Sequence, residues 1–131
     1  MVLSIELKML FYSAILGIVQ LLIATQLSTA QRGIKWNLSP RDEKAPELTG
    51  VAGRMDRAFK NFMETFPFFI VAIVIVQITQ MQSSSSSIGA MLYFWARLLY
   101  VPLYAAGIPG VRTFVWVISF VGIIMVLSAL F

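Results

Sequence analysis

The sequence predicts an all-α integral membrane protein, a bundle of four transmembrane helices in a single domain spanning residues 1–131. The composition is the first observation that supports this fold class. Hydrophobic residues make up 59% of the chain, charged residues 12%, and the mean hydropathy is +0.84, values too apolar for an ordinary soluble domain. The second observation is that the apolar residues form four runs, each near the roughly 20 residues that a helix needs to cross a bilayer.

The composition also limits the chemistry that is available to the chain. Cysteine and histidine are both absent, which excludes disulfides, thiolate nucleophiles, imidazole bases and nearly all zinc or haem sites. The net charge of +4 and the pI near 9.8 would suit nucleic acid, but the basic residues flank apolar runs and belong to no nucleic-acid motif. We interpret them as topology signals and anion contacts, and we expect no nucleic-acid partner and no metal.

The first helix is predicted over about residues 7–27, which are free of charge after Lys8. A cleaved signal peptide is the alternative, because small residues around Ala30 follow the apolar run. The length of that run and the acidic Glu6 before it favour a membrane helix. Gln20 lies within the span, and we expect its amide to make a hydrogen bond to another helix.

A polar loop is predicted over residues 28–53, and its cations continue into the second helix. The basic residues on this side of the membrane are Arg32, Lys35, Arg41, Lys44, Arg54, Arg57 and Lys60. The positive-inside rule therefore places this loop in the cytoplasm and both termini outside. In a bacterium the protein would lie in the inner membrane, with its site facing the cytoplasm.

The second helix is predicted over about residues 54–81 and carries polar residues toward the bilayer. At roughly 100° per residue, four of them fall within an arc of about 80°: Arg54, Arg57, Asn61 and Glu64. Most of the phenylalanines of this helix lie elsewhere on its surface. Because the helix then continues uncharged into lipid, other polar groups have to meet Asn61 and Glu64.

The third helix, over about residues 88–106, follows a run of serines that we interpret as a short flexible turn on the outer face. Its polar residues lie within an arc of about 60°: Tyr93, Arg97, Tyr100 and Tyr104. An aromatic girdle at the membrane surface is the alternative. Four such residues over three turns, around an arginine, instead favour a buried functional face, and Pro102 is expected to kink the helix beside it.

The fourth helix is predicted over about residues 110–130, after a tight Gly-Ile-Pro-Gly turn at 107–110, and it opens with Arg112. At 1.5 Å per residue, Glu64 and Arg97 would lie about 10 and 13 Å into the membrane. We therefore expect a contact between them, either direct or through a ligand, because an unpaired buried charge is costly. A purely structural ion pair is the alternative, but the excess of arginine near this end of the bundle favours an anionic ligand.

Residues 54–69 have the pattern R-x-x-R-A-x-x-N-x-x-E-x-F-P-x-F, and residues 97–104 have R-x-x-Y-x-x-x-Y, with Arg112 following. This ordered set resembles the MAPEG family, the membrane-associated proteins in eicosanoid and glutathione metabolism, which includes microsomal glutathione transferases and leukotriene C4 synthase. The resemblance covers nearly the whole chain. Two positions differ: Thr65 stands where several relatives have tyrosine, and Phe59 where some have a polar residue. Each difference would remove a contact to glutathione.

The resemblance implies a homotrimer that binds glutathione as co-substrate between neighbouring subunits, near the cytoplasmic face. The residues that would contact glutathione are Arg32, Arg54, Arg57, Asn61, Glu64, Arg97, Tyr100 and Tyr104. Glu64 would take the α-ammonium group, with Arg32 and Arg54 as secondary candidates for the carboxylates. Arg112 would be the catalytic residue and would favour the thiolate at the sulfur.

The activity implied is a glutathione transferase of the detoxifying kind, which adds the thiolate to a hydrophobic electrophile from the bilayer; reduction of lipid hydroperoxides is a further activity to consider. The alternative is a non-catalytic membrane protein of the same fold that binds lipids or partner proteins. A scaffold of that kind has no reason to keep glutathione contacts. A small transporter would need polar residues along the whole bundle, and the fourth helix offers few beyond Ser119 and Ser128.

Overall fold

The computed structural model describes residues 2–131 and contains helices only, with no strand in that range. The helices are α1 (Ile5–Arg32), α2 (Ile34–Leu38), α3 (Gly50–Thr79), α4 (Ser84–Ala105) and α5 (Pro109–Ser128). All but α2 are long and apolar enough to cross a membrane. The predicted class, an all-α bundle of four transmembrane helices, is confirmed.

The loop between the first two crossings is shorter than the sequence pattern indicated. Helix α1 continues to Arg32, and α3 already begins at Gly50. The short helix α2 interrupts the segment between them, after Gly33, whose φ of 90° is accessible mainly to glycine. The first long helix therefore ends at Arg32, and the chain turns at once into a short surface helix.

The serine run is part of α4, so the interpretation of these residues as a flexible turn is wrong. Ser83 is the N-cap: its Oγ accepts from the Ser86 backbone N–H at 3.3 Å, and the Ser86 Oγ accepts from the Ser83 N–H at 2.8 Å. This reciprocal pair satisfies backbone donors that the first turn of a helix otherwise leaves free. Serine favours helix starts for this reason.

A buried carboxylate joins α1 to the start of α4. Glu6 is 2% exposed and accepts hydrogen bonds from the Ser86 Oγ at 2.6 Å and the Ser87 Oγ at 2.9 Å. Beside it, the Ser4 Oγ donates to the Gln77 Oε1 of α3 at 2.9 Å. Three helices are thus tied together by polar contacts at this end of the bundle.

Helices α4 and α5 form a closely packed hairpin. The predicted reversal at residues 107–110 is confirmed: Gly107 has a φ of 75°, and α5 starts at Pro109. Further along, a Cβ atom on Gly89 would lie 2.6 Å from the Gly122 carbonyl oxygen, and a Cβ on Gly122 would lie 2.6 Å from the Gly89 oxygen. Only glycine allows the two backbones to approach this closely.

The expectation that Gln20 makes an interhelical hydrogen bond is wrong. Gln20 is 1% exposed, yet its Oε1 and Nε2 atoms have no partner among residues 2–131. One turn earlier on the same buried face, a Cβ on Gly17 would lie 2.9 Å from the Phe62 ring. This face of α1 thus packs against an aromatic ring, which has no conventional donor or acceptor to offer an amide.

Candidate functional site

The candidate residues of the α4–α5 hairpin form a column in which two tyrosine rings, Tyr100 and Tyr104, lie between two arginines, Arg97 and Arg112. The Arg97 guanidinium carbon lies 4.3 Å from the centre of the Tyr100 ring. The Tyr100 and Tyr104 rings meet edge to face at 5.6 Å. The Arg112 guanidinium carbon lies 4.3 Å from the centre of the Tyr104 ring. Cation–π attraction therefore holds both guanidinium groups in place.

Arg97 is a buried cation without a hydrogen-bond acceptor. It is 1% exposed, and its Nε, Nη1 and Nη2 atoms have no partner among residues 2–131. Besides Tyr100, its neighbour is the Phe62 ring, whose centre lies 5.7 Å from the guanidinium carbon. Such a charge normally has a carboxylate or another anion beside it, because desolvation costs several kcal/mol.

The direct ion pair expected between Glu64 and Arg97 does not form. The salt bridge found within residues 2–131 joins Lys60 to Asp56 at 2.9 Å, and Glu64 is exposed. A contact through a ligand stays a prediction.

The orientation of α3 explains why this pair does not form. The fully buried residues Ala58, Phe62 and Phe69 face the core of the helix bundle. The polar face consequently turns away from that core, leaving Arg57 and Glu64 exposed. The polar face of α3 is therefore available to a ligand or to another subunit.

Asn61 lies between these two residues and is half-buried. Its Oδ1 atom is inaccessible and accepts no hydrogen bond from residues 2–131. Buried acceptors of this kind are rarely left unpaired. The structure thus leaves one unsatisfied acceptor on the same face as one exposed arginine and one exposed carboxylate.

Thr65 has a structural contact of its own. It is 6% exposed, and its Oγ1 lies 3.0 Å from the Tyr93 hydroxyl and donates to the Phe62 carbonyl at 3.2 Å. The Tyr93 ring also stacks on Phe69 at 4.0 Å. The residue that stands in place of a tyrosine therefore ties α3 to α4 inside the subunit.

Arg54 and Arg32 are already engaged with backbone carbonyls. The Arg54 Nε donates to the Ala105 carbonyl at the end of α4, at 2.8 Å. The Arg32 Nε donates to the Pro46 carbonyl of the loop, also at 2.8 Å. Each guanidinium keeps further N–H groups for a ligand, but its position is set by the fold.

The candidate residues thus form two groups rather than one. Arg97, Tyr100, Tyr104 and Arg112 are contiguous, whereas Arg57 lines a separate small polar cavity with Arg32. No cluster of three or more acidic, histidine or cysteine residues suited to a metal occurs within residues 2–131.

Sequence reasoning missed Phe62, which lies beneath the Arg97 guanidinium and against α1. The only available signal was its position one residue after Asn61, which places it on a different side of α3. That spacing alone does not say which side faces the subunit's core.

Comparison with known proteins agrees with this architecture. The sequence model of the MAPEG family matches residues 9–131, nearly the whole chain. The chain belongs to the MAPEG family. This MAPEG protein is accordingly a multi-pass membrane protein, of a family that includes glutathione transferases and related enzymes. No curated protein and no solved structure matches the chain.

Proposed function

We propose that this MAPEG protein is a glutathione-dependent transferase that adds the glutathione thiolate to a hydrophobic electrophile. The observation that carries the proposal is the column from Arg97 to Arg112, in which two guanidinium groups are fixed without a carboxylate partner. Glutathione has two carboxylates, one ammonium group and a thiol. A site with several arginines and one glutamate suits those charges, because arginine binds carboxylates in a bidentate manner.

The exposed polar face of α3 supports binding between subunits of a homotrimer. Arg57 would take a glutathione carboxylate, Asn61 would satisfy its buried Oδ1 on an amide N–H, and Glu64 would hold the α-ammonium group. Arg97, Tyr100 and Tyr104 would complete the site from α4. Arg32 and Arg54 would act at its edge through the N–H groups that the backbone carbonyls leave free.

Arg112 is the residue proposed to act at the sulfur. A guanidinium beside the sulfur lowers the pKa of the glutathione thiol, so more thiolate is present near neutral pH. The thiol proton passes to water, the sulfur lone pair forms the new bond to the electrophilic carbon, and the displaced electron pair stays on the acceptor or its leaving group. No histidine is needed for this sequence of steps.

The bilayer supplies the second reactant in this proposal. An apolar electrophile concentrates in lipid, whereas glutathione arrives from water, so the proposed site would lie where both can reach it. Reduction of a lipid hydroperoxide is a related activity, in which two glutathione molecules give a disulfide, an alcohol and water.

Binding is tested by the thermal unfolding of the purified protein in detergent. Millimolar glutathione should raise Tm, since a ligand that binds only the folded state stabilises it. S-methylglutathione is the control for the thiol, and it should act similarly because the binding groups are retained. An unchanged Tm with both compounds would favour the non-catalytic lipid- or partner-binding protein.

Arg112→Ala should lower the turnover of a hydrophobic electrophile by about 10²–10³-fold, the usual cost of removing one transition-state donor. The KM for glutathione should change much less, because most binding groups remain. Lys44→Ala removes an exposed loop cation and should change neither quantity. Equal turnover in Arg112→Ala and the unmodified protein would exclude the assigned role.

A further inference from the structure

A second cavity lies between α1, α2 and α3, away from the cation and ring column. It has a volume of about 460 Å³, within the range of small-molecule sites. Its charged residues are Arg32, Arg41, Lys60 and Asp56. Because Asp56 is paired with Lys60 at 2.9 Å, the cavity keeps a net positive charge.

The aromatic ring of Trp36 organises the two arginines of this cavity. The guanidinium carbon of Arg32 lies 4.9 Å from the ring centre, and that of Arg41 lies 5.0 Å from it. The Arg41 Nη2 also donates to the Asn37 Oδ1 at 2.8 Å and to the Asn37 carbonyl at 3.1 Å. Two guanidinium groups are thus held around one ring, with N–H groups left to face an anion.

The residues of helix α2 are of the kinds that lie at a membrane surface. Ile34 and Leu38 lie one turn apart and are 66% and 80% exposed, so the helix presents an unburied apolar edge beside Lys35 and Trp36. Apolar edges combined with tryptophan and lysine are typical of segments at the boundary between lipid headgroups and acyl chains.

The other end of the cavity is apolar and extends along α1 and α3, away from Arg32. Leu21, Ala24 and Phe59 line it. Leu21 precedes Arg32 by eleven residues of the same helix, which separates the two levels by roughly 16 Å at 1.5 Å per residue. Leu21 is 43% exposed, so this apolar end opens onto the outer surface of the subunit.

We propose that this cavity binds an anionic phospholipid of the bilayer, with the phosphate against Arg32, Arg41 and Lys60 and an acyl chain along Leu21 and Phe59. A basic pocket at the membrane boundary is suited to a lipid phosphate. The apolar extension distinguishes a lipid from a free phosphate, which would use only the basic end. The site is separate from the proposed catalytic chemistry, although Arg32 is common to both.

The proposal is tested by native mass spectrometry of the full-length protein in detergent, titrated with phosphatidylglycerol or with phosphatidylcholine of the same chains. Phosphatidylglycerol adducts should predominate in the unmodified protein. The double variant Arg41→Asn and Lys60→Gln should bind it on the order of 30-fold more weakly. Asparagine is chosen because Arg41 has a φ of 61°, which asparagine tolerates.

The control is Lys35→Gln with Lys44→Gln, which removes the same charge from residues outside the cavity and should retain the adducts. Equal binding of both lipids, or equal phosphatidylglycerol binding by the two double variants, would overturn the proposal. Displacement of the lipid by millimolar inorganic phosphate would assign the basic end to free phosphate instead. The Tm increase with glutathione should persist in both double variants, which shows that they fold and separates this result from the catalytic proposal.

Discussion

Two buried charged residues of the bundle differ in whether they have hydrogen-bond partners. At one end, the Glu6 carboxylate accepts from two serine hydroxyls at 2.6 and 2.9 Å. Toward the other, the Arg97 guanidinium has no acceptor for any of its nitrogens among residues 2–131. Both residues are almost completely buried, at 2% and 1% exposure. The difference separates a buried charge that joins two helices from a buried charge that the fold leaves without a hydrogen-bond partner among the described residues.

The largest expected effect on stability comes from Glu6→Ala. This substitution removes the carboxylate that accepts hydrogen bonds from Ser86 and Ser87. The Ser86 hydroxyl keeps another acceptor, the Ser83 carbonyl at 2.9 Å, whereas the Ser87 hydroxyl keeps none in the described part of the chain. The free energy of unfolding should fall by about 2–3 kcal/mol. Chemical unfolding in mixed micelles measures this quantity. Glu43→Ala, in the exposed loop, is the matched control, and an equal result for the two variants would mean that the Glu6 contacts contribute nothing.

An intermediate effect is expected for Thr65→Val, which removes a neutral buried hydrogen bond between α3 and α4. The Tyr93 hydroxyl would lose its partner at 3.0 Å, and the free energy of unfolding should fall by about 1–2 kcal/mol. Glutathione affinity should stay the same, because this hydroxyl is used inside the subunit. Weaker glutathione binding with unchanged stability would instead place Thr65 in the ligand site.

The smallest effect on the stability of the ligand-free protein is expected for Arg97→Met. The variant loses a buried charge that no carboxylate compensates, so its free energy of unfolding should be unchanged or slightly higher. The increase in Tm with millimolar glutathione should disappear at the same time. A strongly destabilised variant that still responds to glutathione would show that Arg97 is structural and would remove the contrast with Glu6.

Much of the fold could be predicted from the sequence because the bilayer imposes one length and one polarity on every crossing. The four membrane helices and the Gly107 reversal followed from the apolar runs and from glycine and proline positions. The serine run was misread because serine favours both flexible segments and helix N-caps. Only the contact between Ser83 and Ser86 distinguishes the two.

The arrangement of the site was only partly accessible to sequence reasoning. Steps of three and four residues put Arg97, Tyr100 and Tyr104 on one side of α4, and the structure places them in contact. The orientation of α3 could not be read in this way, because a polar face is compatible with a bundle interior and with a subunit interface. The packing of Phe62 turns this polar face away from the bundle interior, and that packing depends on the small residue Gly17 of α1.

The close approach of Gly89 and Gly122 constrains how this protein can move. With their backbones in contact, α4 and α5 cannot slide past each other by a helical turn without separating, so Tyr104 and Arg112 keep their mutual geometry. A motion of the bundle that preserves this glycine contact would therefore shift α1 and α3 against an unchanged hairpin.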